Sequence, residues 1–176
     1  MTHTRDSKTT MLVAIAIIIG LILVTAVAVA IALPSLRGAR MKSNEASAIA
    51  SLRAINSAQA AFAANCGNGM FAATLAGLAA PAAGASAGFV SPELGSDPAT
   101  RSGYTIRLIA PAAANAPRAC NGAEVAAAYF AAAEPVTLGS TGAQFFATNQ
   151  GDTIYQSPLP IDVSLTGPPP NAAAIQ

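Results

Sequence analysis

Tryptophan is absent from this chain, and aromatic residues make up only 5% of it. Charged residues are 10% of the total, and the formal net charge is +1. A near-neutral chain lacks the cationic field that steers binding to nucleic acid, so a nucleic-acid partner is not expected. The only histidine is His3, near the start of the chain. Ser51 and Ser57 therefore have no histidine base, which excludes Ser-His nucleophilic catalysis. The two cysteines, Cys66 and Cys120, stand 54 residues apart, which is not a zinc-ligand spacing. No glycine-rich phosphate loop precedes a helix. Glu93 and Asp97 are four apart in a proline-containing stretch and read as solvated loop charges rather than an acid–base pair. Asp152 and Asp162 sit in no dense oxygen-ligand pattern. No enzyme activity, cofactor or metal is expected.

What the chain has in abundance is aliphatic residues, which bring the apolar fraction to 53%. No charge occurs from Thr9 to Leu36. Within that stretch MLVAIAIIIGLILVTAVAVAIAL, Met11 to Leu33, is 23 residues long. As a helix it measures about 35 Å, enough for the hydrocarbon layer of a bilayer. The run is longer than a secretory signal core, and no small-residue cleavage site precedes a polar shift. It reads as an uncleaved anchor.

Beyond Pro34 the pattern stays helical from Ser43 to Ala64. Ala48, Leu52, Ile55, Gln59 and Phe62 recur at steps of four and three and form one moderately apolar face. Leu52, Ile55 and Phe62 are its packing residues. Ser43, Asn44, Ser47, Ser51, Asn56 and Ser57 fill the rest. Asn65-Cys66-Gly67 stops the helix. Five segments follow: a polar head at 1–10, a transmembrane or assembly helix at 11–34, an amphipathic half at 35–66, a small sheet domain at 67–157 and a proline-rich tail at 158–176.

In the sheet domain, Tyr104 to Ile109 alternates as a strand does. Glu124 to Ala133 is alanine-rich, and its Tyr129-Phe130 pair tilts it toward strand. Gln144–Thr148 and Asp152–Gln156 flank Asn149-Gln150-Gly151, a hairpin-turn signal. Residues 67–103 read as loop with a short helical turn near Phe71–Leu78. The tail is expected to be irregular. In the Tyr129-Phe130 and Phe145-Phe146 pairs, alternation sends one ring inward and exposes the other. The cysteines read as one disulfide if the domain is exported, worth about 4 kcal/mol by loop closure; the other reading is two buried thiols.

The stretch AIALPSLRGARMKSNEASAIASLRAINSAQAAFAANCG, Ala30 to Gly67, resembles the passage of a type IV pilin-like or type II secretion pseudopilin helix into its globular domain. SGYTIRL (Ser102–Leu108), AAAYFAAAEP (Ala126–Pro135) and TGAQFFATNQGDTIYQ (Thr141–Gln156) also resemble bacterial members. The resemblance implies an α+β fold, in which a long N-terminal helix with a membrane-spanning first half packs by its second half on a three- or four-stranded antiparallel sheet. It implies a structural subunit of a pilus-like or pseudopilus fibre, assembling through the apolar helix. Its partners would be the membrane, copies of itself or other pilin-like subunits, a prepilin peptidase and an inner-membrane assembly platform. Aligned on Pro34, candidate leader cleavage falls between Leu12 and Val13. The family's glycine before the cut, aromatic first residue and glutamate at the fifth position are all missing, the fifth being Ile17.

Arg37, Arg40 and Lys42 are read as membrane-surface charges, the competing reading being pairing with Glu45 between subunits. By the positive-inside rule they favour a cytoplasmic C-terminus. The cysteine pair and the resemblance favour the opposite, an inner-membrane, single-pass protein with an extracytoplasmic C-terminal domain. The second expectation for function is a non-assembling single-pass membrane protein with a small binding domain of the same fold.

Overall fold

The structure is a computed structural model. It describes the backbone of residues 3–175 and the side chains of residues 10–25 and 35–175. The expected polar head (1–10), apart from Thr10, and the apolar residues 26–33 with Pro34 lie outside the described side chains. The chain divides into two units, Met1–Arg40 and Met41–Gln176.

Helix α1 runs His3–Asn65. Alanine is its commonest residue and loses little on entering a helix. It ends where Cys66 N–H and Gly67 N–H both bond the Phe62 carbonyl, at 2.9 and 2.7 Å. Gly67 is required there, because a Cβ would sit 2.1 Å from the Met70 carbonyl oxygen.

The expected fold class is corrected. No helix among the described residues is long and apolar enough to cross a membrane. The membrane-spanning first half, the single-pass inner-membrane localisation with its extracytoplasmic domain, and the single-pass alternative for function fall together.

The sheet also differs from the expected three or four strands. Six strands pair antiparallel throughout, in the order β2 (Ala99–Arg101), β3 (Tyr104–Ile109), β5 (Phe130–Pro135), β6 (Phe145–Asn149), β7 (Tyr155–Ser157) and β8 (Ala173–Ala174). A separate two-stranded pair joins β1 (Phe71–Ala72) to β4 (Val125–Ala126). The Glu124–Ala133 stretch is therefore split between two sheets. Residues 67–103 hold more structure than a loop: β1, the short helix α2 (Leu75–Ala79), a 3-10 turn at Pro92–Leu94, and β2. Thr74 caps α2 by accepting the Gly77 N–H at 3.0 Å. The turn after β6 is longer than a two-residue hairpin. Asn149 closes it, its side-chain oxygen accepting the Gly151 N–H and its carbonyl the Asp152 N–H, both at 3.0 Å.

One core joins Ala48, Leu52, Ile55, Ala58 and Phe62 of α1 with Tyr104, Ile106 and Leu108 of β3, Ala131 and Ala133 of β5, and Phe146 of β6. Leu52, Ile55 and Phe62 are fully buried. Phe62 meets Phe89 edge-on at 5.3 Å, and Phe71 meets Tyr129 at 4.9 Å. A second cluster occupies the opposite sheet face, where Phe130, Ala132 and Ala147 pack with Ile161 and Leu165. Both rings of each aromatic pair are consequently buried. The expectation of an exposed partner fails because the tail covers the outer face. Asn149 holds the tail there, donating to the Ser164 carbonyl at 3.2 Å and the Gly167 carbonyl at 2.7 Å, and Gln150 donates to the Leu165 carbonyl. Cys66 and Cys120 form a disulfide.

Leu52→Asp places an unpaired carboxylate in the core and should abolish cooperative unfolding of the domain; a Leu52→Asp chain that keeps its protease resistance would refute this packing. Asn149→Ala removes three hydrogen bonds and should cost about 1–3 kcal/mol in urea unfolding. It should also open residues 158–172 to proteolysis, and an unchanged digestion pattern would show that the tail is held by other contacts.

Candidate functional site

The described side chains of the apolar run are exposed. Met11, Leu12, Val13, Ile15, Ile17, Ile18, Ile19, Leu21, Ile22, Leu23 and Val24 are between 42% and 68% exposed. These positions point in every direction around the helix, so there is no single seam. A helix apolar on all sides is ordinarily enclosed by other apolar groups. Its one described hydroxyl is satisfied internally, since Thr25 Oγ1 donates to the Leu21 and Ile22 carbonyls at 3.0 and 2.9 Å. The run thus presents no unmet polar group among its described side chains. Leu12 and Val13, the candidate cleavage positions, both lie within α1.

Arg37, Arg40 and Lys42 are exposed. Lys42 is committed within its own chain, its Nζ lying 3.3 Å from Glu45 Oε2. Glu45 itself is buried, at 6% exposure, and its Oε1 accepts the Ala143 N–H at 2.9 Å. The competing reading paired these charges with Glu45 of a neighbouring subunit; the fold instead uses Glu45 to hold the segment between β5 and β6 of its own chain. Asn44 assists, donating to the Thr141 carbonyl at 2.8 Å.

Three further polar residues of α1 are buried where the sequence reading placed two of them on the polar side. Asn56 donates to Thr148 Oγ1 at 2.9 Å and accepts from the Tyr129 hydroxyl at 3.0 Å. Ser51 donates back to the Ser47 carbonyl at 2.9 Å. Gln59, on the expected apolar face, pairs with both backbone groups of Ala72 at 3.0 and 2.8 Å, as a neighbouring strand would. The signal for Asn56 was its place beside Ile55, but its partners are more than 70 residues away.

Glu93 faces Arg101 at 3.5 Å, both well exposed. Asp97 accepts the Leu108 N–H at 3.4 Å. Asp152 and Asp162 are exposed. Among the described residues no group of three His, Cys, Asp or Glu side chains could hold a metal ion. A shallow hollow lined by alanines 112–114 and 116 is flanked by Arg118 and Glu124, which pair with each other at 3.2 Å.

With this geometry in place, comparison with known proteins adds nothing to it: no protein-family model, no curated protein and no solved structure matches the chain.

Two buried phenols give the domain a pH signature. Burial, then the nearby Glu45 carboxylate, pushes Tyr104 up to about 12, against the hydrogen bond it donates to the Gln144 carbonyl. Burial and Asp152 push Tyr129 well above its ordinary value. The folded state therefore favours the neutral phenols. Their contribution is complete below the unfolded value of about 10 and is lost as pH rises from there through about 12. Urea-unfolding free energy should be flat across neutral pH and fall above about pH 10. Tyr104→Phe with Tyr129→Phe should flatten that fall, and an unchanged slope in the double variant would assign it to other groups.

Proposed function

We propose that this chain is a structural, non-enzymatic subunit that assembles with copies of itself, or with related subunits, into a fibre of the pilus-like or pseudopilus kind. The observation that carries the reading is the exposed, uncharged helix surface from Met11 to Val24. Water penalises it along its whole length. Burying one leucine or isoleucine side chain returns about 1.5–3 kcal/mol. A handful of such side chains offsets the roughly 4–15 kcal/mol that association costs in lost freedom.

The missing glutamate fits a simple apolar contact. Ile17 stands where the resembled family has a carboxylate, so association strands no charge inside the fibre. The rest of the chain serves this role by being a stiff, covalently tied domain. The Cys66–Cys120 bond fastens the end of α1 to a loop 54 residues away, a tie that persists in oxidising surroundings.

Ile18→Asp puts a carboxylate in the middle of the exposed run, 56% exposed in the single chain. The variant should give no fibres by negative-stain electron microscopy and should sediment as a monomer, with the circular dichroism of its domain unchanged. Fibres as abundant as those of the unaltered chain would refute assembly through this helix.

A further inference from the structure

The nine residues from Val136 to Gln144, between β5 and β6, contain no charged side chain. They are held unusually firmly for a surface connection. The Val136 N–H bonds the Gly103 carbonyl at 2.9 Å, and Asn44 bonds the Thr141 carbonyl at 2.8 Å. The Ala143 N–H bonds the Glu45 carboxylate at 2.9 Å, and the Tyr104 hydroxyl bonds the Gln144 carbonyl at 2.8 Å. Gly142 lies so close to Tyr104 that a Cβ would fall 2.0 Å from its hydroxyl oxygen. Inside the loop, Thr141 Oγ1 accepts the Thr137 N–H at 3.0 Å. Despite this bracing, the loop leaves Val136 54% and Leu138 57% exposed.

Burying the Glu45 carboxylate costs desolvation. The return is a fixed loop, not a covered one. A loop already held in one conformation loses little entropy on binding, which favours contact through its two apolar side chains. Among the described residues the longest run of exposed apolar side chains is the uncharged helix surface Met11–Val24. Pressing the loop against it leaves no charge unpaired on either side.

Resting on the fibre reading above, we propose that Val136 and Leu138 receive the apolar helix of a second copy, with Glu45 as the positioning residue for the loop. Loop and helix are different patches, so the contact is heterologous. However many copies join, one end of the assembly still offers a free helix and the other a free loop. That arrangement grows an open chain, where a self-matching patch would stop at a dimer.

The test mixes two full-length variants in detergent-free buffer and follows them by sedimentation velocity. Ile18→Asp spoils the helix and keeps the loop. The double variant Val136→Ser, Leu138→Ser spoils the loop and keeps the helix. Each alone should associate at least about tenfold more weakly than the unaltered chain, with unchanged thermal unfolding. Mixed one to one, they should form heterodimers and nothing larger, because each supplies the surface the other lacks. A double variant that polymerises normally, or a mixture that stays monomeric, overturns the loop assignment while leaving assembly through the helix intact. An Ile18→Asp chain that polymerises normally removes the fibre reading and this proposal with it. Glu45→Ala should weaken association and expose residues 136–144 to protease. Glu45→Gln keeps an oxygen to accept the Ala143 N–H and should restore both; failure to do so removes Glu45 from the positioning role.

Discussion

Strand β5 lies between two apolar layers, and alanine is what allows it. Ala131 and Ala133 face the core that includes Leu52, Ile55 and Phe62, while Phe130 and Ala132 face the tail. A strand buried on both faces cannot show the usual inside–outside alternation. With short side chains on its inner face, the space is filled from elsewhere, by Tyr104, Ile106 and Phe146 on the neighbouring strands and by large residues of α1. On its outer face the tail must be present, since Phe130 and Ala147 would otherwise meet water. Tail, sheet and core thus depend on the same six residues, Phe130–Pro135.

A core built from so much alanine is thin, and polar bridges compensate. Asn56 and Gln59 reach from α1 to Tyr129, Thr148 and Ala72, each amide both donating and accepting a hydrogen bond across the fold. Such bridges contribute modestly when made and cost far more when broken, so they select one packing more than they deepen it. The disulfide adds a constraint of a different kind by shrinking the unfolded ensemble.

The same economy extends to the surface. Charges are few, and three ion pairs among the described residues take up Lys42, Glu45, Glu93, Arg101, Arg118 and Glu124. Among the exposed apolar side chains of the described residues are those of the helix from Met11 to Val24 and Val136 and Leu138 of the braced loop. On the fibre reading proposed above, the buried Glu45 carboxylate holds an apolar loop still for contact with a second copy. The chain's function in this view is a property of repetition, with each copy supplying what the previous one lacks.

Periodicity alone located the strand Tyr104–Ile109, the helix through Ala64 and the residues Leu52, Ile55 and Phe62, because spacing along one element decides which side chains share a face. Composition excluded a histidine-based site. The uncharged run was legible as a surface needing apolar company, but length in the sequence did not make it a membrane span in the structure. With two cysteines the sequence already offered the Cys66–Cys120 pairing; the tertiary fold alone decided the division of Val125–Pro135 between two sheets and the burial of both rings in each aromatic pair. It also decided that a proline-rich tail would be a covering layer and that Glu45 would serve its own chain. These rest on partners well separated in sequence, from 15 residues between Asn149 and Ser164 to 98 between Glu45 and Ala143. Local pattern fixes which face a residue occupies; only the closed fold says what stands opposite.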